Sequence, residues 1–271
     1  MIFRRHRPRR IAGLSFNKMI PNILTLLALC AGLTAIRFGL HQKWEMAVLS
    51  ILLAAVFDGL DGRVARLLRG TSKFGAELDS LSDFVSFGVA PAMLLYFWSM
   101  QRAGGIGWAL VLLYAVCTAL RLARFNTMIG QPDLPVWAYN FFTGVPAPAA
   151  ALLAMLPMIL SFQIDQLELF SYPMVNAVML VVVSFLMVSK IPTFSGKRFH
   201  VPHAYVLPMM LVMALLAAFL VTAPWTTVTG LAVIYAITIP FSAAAFARLK
   251  KRADDLRAGE PLPSESPPAQ E

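Results

Sequence analysis

The chain has 271 residues, of which 58% are hydrophobic and only 14% are charged, and its mean hydropathy is +0.69. Soluble domains carry about a quarter charged residues, so this composition excludes an ordinary soluble protein. The formal net charge of +9 comes from basic clusters beside apolar runs. Such clusters are typical of membrane topology, and with no nucleic-acid-binding motif in the sequence we expect no nucleic-acid partner.

Long apolar runs along the chain predict an all-α membrane protein, a helical bundle of about eight transmembrane helices. A bilayer core of roughly 30 Å takes about 20 apolar residues per helix, whereas the strands of a membrane barrel alternate over about 10 residues. In chain order, the predicted spans are 20–40, 44–68, 81–100, 105–127, 139–162, 172–190, 204–222 and 224–247.

The segments outside these spans predict the domain organisation and the orientation. A basic N-terminal segment, 1–19, precedes one membrane domain, 20–247, and the polar tail 248–271 is predicted to be cytoplasmic and largely disordered. Basic residues are retained on the cytoplasmic side of a membrane. If both termini are cytoplasmic, 20 of the 23 Lys and Arg residues fall on that side. We therefore expect both termini, and the chemistry, on the cytoplasmic face.

Four aspartates lie around the connection between the second and third predicted spans, where residues 58–83 read DGLDGRVARLLRGTSKFGAELDSLSD. Ionisable residues at membrane depth are costly, and they are usually functional. At 100° per residue, Asp58 and Asp61 share one face of the second helix, while Asp79 and Asp83 share one face of the third. This spacing predicts that four carboxylates meet at one point.

Four carboxylates in one place repel one another, so they require compensating cations. Oxygen ligands suit Mg²⁺, Mn²⁺ or Ca²⁺, and two divalent ions balance four negative charges. Paired ions held by carboxylates are a common device for binding a diphosphate and assisting phosphoryl transfer. Gly62, Ala65 and Gly75 leave room there for a nucleotide or phosphate, and Arg66 is placed to neutralise a phosphate.

Each of these residues also has a purely structural interpretation. Asp58 and Asp61 could pair with neighbouring arginines, the small residues could pack helices, and Asp83 could cap the third helix. The complete pattern D-x2-D-G-x2-A-R-x8-G-x3-D-x3-D favours function. Its eight fixed positions match by chance with a probability on the order of 10⁻¹⁰, taking ~5% usage per residue type.

On this pattern the sequence resembles the CDP-alcohol phosphatidyltransferase family, whose signature it matches at every position. The resemblance implies a helical membrane enzyme, typically a homodimer, that releases CMP from a CDP-linked lipid. It implies that Asp58, Asp61 and Asp79 are ligands of Mg²⁺ or Mn²⁺, as two ions. Asp83 is implied to be a further ligand or the general base, and the residues around the glycines to receive the cytidine nucleotide.

Further segments resemble the bacterial phosphatidylserine synthases within that family. They are IPNILTLLALCAGLTAI (20–36), LDSLSDFVSFGVAPA (78–92), RLARFN (121–126), FTGVPAPAA (142–150) and SKIPTFSGK (189–197). The resemblance implies CDP-diacylglycerol as donor, L-serine as acceptor and the bacterial inner membrane as location. In the implied reaction, the serine hydroxyl attacks the donor phosphorus in line.

A serine pocket needs cations for the carboxylate and acceptors for the ammonium group. The candidate contacts, which could instead be topology signals or hold the donor phosphates, are Arg121, Arg124, Asn126, Lys190, Ser195 and Lys197. Glycerol 3-phosphate or inositol phosphate is an alternative acceptor that would require a denser basic pocket. A cation transporter is a remote alternative, because it would carry acidic residues through the membrane depth of several spans.

Overall fold

The structure is a computed structural model, and it describes residues 16–68, 70, 72–128, 141–164, 167–189, 191–194 and 206–259. The first part contains α1 (Phe16–Leu40), α2 (Trp44–Leu67), α3 (Lys73–Asp83), a π-helical segment (Phe84–Val89), α4 (Ala90–Trp98), a 3-10 turn (Met100–Ala103) and α5 (Gly104–Met128). The second contains β1 (Phe141–Thr143), α6 (Ala147–Ala154), α7 (Leu156–Ser161), α8 (Leu167–Phe170), α9 (Pro173–Val188), β2 (Pro192–Phe194), α10 (Val206–Thr222) and α11 (Pro224–Gly259).

The described residues include four helical stretches that are long and apolar enough to cross a membrane. These are Met19–Leu40, Lys73–Trp98, Met100–Thr127 and Pro224–Ser242. Helices α9 and α10 are apolar but shorter, and α2 has 24 residues but carries the charged Asp58 and Asp61. The prediction of a helical membrane protein is confirmed, while eight spans and cytoplasmic termini stay predictions.

The span predicted over 139–162 is not one continuous helix, because the described part of this stretch is a short strand followed by two short helices. Helices α6 and α7 meet at Met155, and each has a proline in its first turn. Pro157 has no N–H to donate, so the hydrogen bonding of one helix is interrupted where α6 ends and α7 begins. At the other end of the chain, α11 continues to Gly259, so it extends into the segment predicted as a disordered tail.

A small antiparallel ribbon, absent from the all-α prediction, joins β1 to β2, with Phe141 opposite Phe194. Gly144 ends β1 and donates its N–H to the Ile191 carbonyl oxygen at 2.9 Å. Its φ is +79°, and a Cβ atom there would lie 2.5 Å from the Met187 carbonyl oxygen. The ribbon therefore packs against the end of α9 only because residue 144 has no side chain.

Replacing Gly144 by alanine is expected to destabilise the protein. The positive φ costs an L-residue roughly 1–2 kcal/mol, and displacing the Met187 carbonyl adds to this cost. At about 2–4 °C per kcal/mol, we expect the melting temperature in detergent to fall by at least ~4 °C. Gly105→Ala is the control, because its Cβ would meet no atom within 4 Å. Equal melting temperatures for the two variants would contradict the role given to Gly144.

Helix α1 packs against both α2 and α3, and so lies between the two helices that carry the aspartates. Its contact with the π-helical segment is close. The Ser86 hydroxyl donates to the Ala28 carbonyl oxygen at 3.1 Å, and a Cβ on Gly32 would lie 2.5 Å from the Ser86 Oγ. Small residues of this kind let membrane helices approach each other closely. The position of Asp83, which directly precedes this segment, is therefore tied to α1.

Helix α5 presents one face to the π-helical segment. The Tyr114 hydroxyl donates to the Phe87 carbonyl oxygen at 2.9 Å, and Thr118 lies against Gly88. Arg121 follows Tyr114 by seven residues, which is two helical turns, and so it shares this face. The packing of Tyr114 and Thr118 therefore directs Arg121 toward the aspartate-bearing end of α3.

Candidate active site

Three of the four predicted metal ligands lie together. Carboxylate oxygens of Asp58 and Asp61, from α2, and of Asp79, from α3, are all within 4.8 Å of one another. Asp61 is only 5% exposed, and the other two are partly buried. The spacing of these residues along two helices thus brings their acidic groups to one place, as the sequence indicated.

Asp83 completes this cluster from the next turn of α3. Its carboxyl group lies beside that of Asp58, and the two interact electrostatically. Two full charges 4.8 Å apart repel by about 3 kcal/mol at an effective dielectric constant of about 20. Several such pairs in one cluster are tolerable only with added positive charge. The all-oxygen donor set is the one that Mg²⁺ and Mn²⁺ prefer, so these residues fit a divalent ion.

A cavity of about 140 Å³ lies beside the aspartates. Its lining comes from α1, α2, the α2–α3 connection and α3: Pro21, Asn22, Thr25, Asp61, Gly62, Ala65, Gly70, Ser72, Gly75, Ala76 and Asp79. It thus contains all three small residues predicted to receive the nucleotide. Two of the predicted metal ligands form part of its wall, so a diphosphate in this cavity would meet the acidic cluster.

The two glycines of the cavity make room in different ways. A Cβ on Gly75 would lie 2.9 Å from the Asn22 Oδ1, so this glycine lets α1 and α3 come close together. A Cβ on Gly62 would have the Arg66 Nη1, at 3.7 Å, as its nearest neighbour. The space beside Gly62 is therefore not needed for the packing of the helices, and it is free for a ligand. Arg66 is exposed, and its guanidinium lies beside Gly62, where it can meet a phosphate.

Of the candidate acceptor contacts that the structure describes, Arg121 is the one whose charge acts on the acidic cluster. It interacts electrostatically with Asp58 and Asp83, and its guanidinium lies 5.8 Å from the centre of the Phe125 ring. This positive charge comes from α5 and not from the neighbouring arginines of α2. The two sides of the site, acidic α2–α3 and basic α5, therefore face each other.

The other candidates have different surroundings. The Nη2 group of Arg124 donates to the Val188 carbonyl oxygen at 2.6 Å, while its buried Nη1 has no hydrogen-bond partner among the residues that the structure describes. The Asn126 amide donates to the Ser80 hydroxyl at 2.8 Å, which ties α5 to α3. The remaining three candidates lie outside the described residues: Lys190, Ser195 and Lys197.

Sequence reasoning assigned no role in the site to Pro21, Asn22 and Thr25, although all three line the cavity. A usable signal was present. Asn22 and Thr25 are polar residues spaced three apart in a mostly apolar helix, so they lie on one face of that helix. A polar face on a membrane helix requires a partner, and here the partners are the aspartate-bearing helices.

A family model described as CDP-alcohol phosphatidyltransferase matches residues 18–189, which include all four aspartates. The chain belongs to the CDP-alcohol phosphatidyltransferase family. This confirms the resemblance that the aspartate pattern indicated. A second model, described as CDP-alcohol phosphatidyltransferase 2, matches residues 204–240 of this phosphatidyltransferase, on α10 and α11.

Similar proteins within the family are named CDP-diacylglycerol–serine O-phosphatidyltransferase. The one from Mycobacterium bovis is 40% identical over 241 residues, which cover 87% of this chain and 82% of the relative. The one from Mycobacterium leprae is 39% identical over 238 residues, covering 88% and 78%. The one from Bacillus subtilis is 39% identical over 172 residues, covering 64% and 88%.

Proposed function

We propose that this protein transfers the phosphatidyl group of CDP-diacylglycerol to the hydroxyl of L-serine and releases CMP. The observation that carries the proposal is the meeting of Asp58, Asp61 and Asp79 beside a cavity lined by Gly62 and Gly75. An acidic cluster of this kind suits a nucleotide-linked diphosphate with its cations. Serine is supported as the acceptor by the relatives with that activity in their names, which match most of both chains.

The cofactor in this proposal is a divalent metal, Mg²⁺ or Mn²⁺, as two ions. The residues that would hold it are Asp58, Asp61 and Asp79, with Asp83 as a further ligand or as the base. When bound there, the metal would neutralise the diphosphate and stabilise the charge that develops during phosphoryl transfer.

The protein's own residues account for the remaining steps. With Asp83 as the base, its carboxylate accepts the proton of the serine hydroxyl. The hydroxyl oxygen forms a bond to the β-phosphorus as the bond from that phosphorus to the bridging oxygen breaks. The bridging oxygen leaves with CMP, and the exposed Arg66 beside Gly62 offsets the charge of the departing phosphate. Asp83 lies beside Asp58, which places its carboxyl group next to the proposed metal ligands.

The acceptor enters from the basic side, at α5. Arg121 lies close enough to Asp58 and Asp83 to hold the serine carboxylate while the serine hydroxyl faces Asp83. The buried Nη1 group of Arg124 offers a second donor for an anionic group. The serine ammonium then completes its contacts with acidic oxygens of the cluster. This arrangement fits a small zwitterion.

The position of the site suits a lipid substrate. Asp58 and Asp61 lie near the end of α2, and Asp79 lies near the start of the apolar stretch Lys73–Trp98. Acyl chains can therefore remain in the bilayer while the diphosphate reaches the acidic cluster. We propose the cytoplasmic face of a bacterial inner membrane as the location, and a homodimer as the assembly.

The acceptor is tested by supplying purified protein with CDP-diacylglycerol and a panel of alcohols, and measuring CMP release. We expect L-serine to support turnover and phosphatidylserine to form. Glycerol 3-phosphate and inositol phosphate should give little product, because each requires cations for a second phosphate. Turnover confined to a phosphorylated alcohol would remove serine as the acceptor, and cation flux in sealed vesicles without CMP release would point to a transporter.

Gly62→Ala is expected to weaken donor binding without harming the fold. The new methyl group would enter the cavity, whereas the nearest protein atom stays at an ordinary contact distance of 3.7 Å. Filling a close-fitting site by one methyl group costs roughly 1–3 kcal/mol, so we expect KM for CDP-diacylglycerol to rise about 10-fold.

Gly59→Ala is the matched control for this change. It lies one turn earlier on α2, does not line the cavity, and a Cβ there would have its nearest neighbour at 4.0 Å. Initial rates over a range of donor concentrations separate the two variants. The same KM in both would show that Gly62 does not border the donor.

A further inference from the structure

One residue of α1 contacts both aspartate-bearing helices. The Thr25 hydroxyl donates to the Asp61 Oδ2 at 2.6 Å, and the Thr25 carbonyl oxygen accepts a hydrogen bond from the Ser82 hydroxyl at 3.0 Å. Thr25 is 4% exposed and Ser82 is 2% exposed. Ser82 lies on α3 between Asp79 and Asp83. Thr25 therefore links α2 to α3 at the level of the acidic cluster.

The hydrogen bond to Asp61 is the stronger of two that the Thr25 hydroxyl can donate. The Pro21 carbonyl oxygen lies 3.1 Å away and is the usual partner of a threonine within a helix. The carboxylate is closer and charged, and charge-assisted hydrogen bonds are roughly twice as strong as neutral ones. The single proton therefore points to Asp61, which fixes the rotation of that carboxyl group.

Burial makes this arrangement rigid. Helix α1 packs against α2 and α3, and the two hydrogen bonds of Thr25 are shielded from solvent. A buried carboxylate that accepts a fixed hydrogen bond cannot rotate freely, so its remaining oxygen electron pairs keep one orientation toward a bound ion. Asp79 and Asp83 lie close to Ser82 on α3. Through its bond to Ser82, the same threonine therefore also fixes the position of α3 along its axis relative to Asp61.

We propose that Thr25 is a positioning residue for the metal centre: it orients the Asp61 carboxylate and, through Ser82, aligns α3 with α2. The inference rests on the proposed function, because it requires that the aspartates hold divalent ions. Partners that orient a ligand from outside the coordination sphere typically contribute 10–100-fold to metal affinity or activity. Thr25 therefore acts through Asp61 and does not touch the reacting atoms.

The test measures Mn²⁺ binding to the purified protein without lipid substrate, by following free Mn²⁺ with electron paramagnetic resonance. Thr25→Val keeps the shape of the side chain and removes the donor, so we expect Kd for Mn²⁺ to rise about 10–100-fold. Thr25→Ser keeps the hydroxyl and should restore binding to within about threefold of the wild type. Thr34→Val is the matched control, because Thr34 lies on the same helix and its hydroxyl donates to the Cys30 carbonyl oxygen of that helix, away from the aspartates.

Two further measurements separate positioning from folding. Metal-free Thr25→Val should still unfold in one cooperative transition, at a somewhat lower temperature than Thr34→Val because Asp61 loses a buried donor. The rise in melting temperature on adding Mn²⁺ should be smaller in Thr25→Val than in Thr34→Val. Ser82→Ala removes only the link to α3 and should also weaken Mn²⁺ binding. If Thr25→Val does not fold, the proposal is tested with Ser82→Ala. An unchanged Mn²⁺ affinity in Ser82→Ala would overturn it.

The possible failures are distinguishable. If the wild-type protein binds no Mn²⁺, the metal centre of the proposed function is wrong, and the role of Thr25 with it. If the wild type binds Mn²⁺ and Thr25→Val binds it equally well, the metal centre stands and only the positioning role is overturned. A loss of binding in Thr25→Ser as great as in Thr25→Val would show that the hydroxyl is not the group that matters.

Discussion

Replacing any one of Asp58, Asp61, Asp79 and Asp83 by asparagine is expected to lower kcat by on the order of 10³-fold or more. Asparagine keeps the size of the side chain and removes one negative charge and one anionic ligand oxygen. The remaining carboxylates then bind divalent cations less tightly, and the diphosphate loses its neutralising charge. The measurement is CMP release at saturating CDP-diacylglycerol and L-serine.

Glu77→Gln is the matched control for these four variants. Glu77 lies on α3, two residues before Asp79, but its side chain is exposed and belongs to neither the cavity nor the cluster. It should retain the wild-type rate. An aspartate variant that kept the rate of Glu77→Gln would show that the residue has no part in the reaction.

The same variants assign the role of Asp83. Mn²⁺ affinity should fall for Asp58→Asn, Asp61→Asn and Asp79→Asn, whose oxygens lie within 4.8 Å of one another. If Asp83 serves only as the base, Asp83→Asn should lose turnover and keep its Mn²⁺ affinity. Loss of both would make Asp83 a further ligand.

Arg121→Gln is expected to produce the second largest loss. The guanidinium is partly buried and interacts electrostatically with Asp58 and Asp83. Replacing Arg121 therefore removes the positive charge at the place where the serine carboxylate is proposed to bind. Truncating one member of a buried charge pair costs about 2–5 kcal/mol, so kcat/KM for serine should fall at least about 30-fold. Arg121→Lys should recover only part of this loss, because an ammonium group cannot reproduce a bidentate contact.

Kinetics with serine as the varied substrate measure this effect, and Arg63→Gln is the control. Arg63 is also a basic residue near the cluster, but it is exposed and does not line the cavity. A higher KM for serine in Arg121→Gln, with KM for the donor nearly unchanged, would support acceptor binding. A rise in KM for the donor alone would place Arg121 on the donor phosphates instead.

The aspartate cluster could be predicted from the sequence because the residues that form it lie close together in the chain. Asp58 and Asp61 are one turn apart on a helix, as are Asp79 and Asp83, and a short connection returns the chain beside itself. Helical periodicity therefore fixes which side chains share a face. The apolar runs are equally local, and they predicted a helical membrane protein.

Contacts between distant helices could not be obtained in this way. Arg121 and Arg124 lie within one turn of each other, and nothing in their spacing shows that one faces the aspartates and the other bonds to the Val188 carbonyl oxygen. That difference arises from the packing of Tyr114 and Thr118 on the π-helical segment. The role of Thr25 likewise depends on α1 lying between α2 and α3, which no local pattern reports.

The break in the predicted fifth span has a different cause. Its residues are apolar enough for one continuous helix, and hydropathy alone therefore predicts one. Gly144 and Pro157 decide otherwise, the first by its positive φ and the second by its missing N–H. Apolar composition shows that a segment is suited to a membrane, whereas these two residues determine where its helix is interrupted.

The most direct test of the account follows labelled L-serine into lipid with CDP-diacylglycerol as donor, with Mg²⁺ or Mn²⁺ supplied or removed by a chelator. We predict labelled phosphatidylserine and CMP in equal amounts when the metal is present, loss of both on chelation, and recovery when the metal is restored. Turnover that continues undiminished in the chelator, or the absence of labelled lipid while both substrates and metal are present, would contradict it.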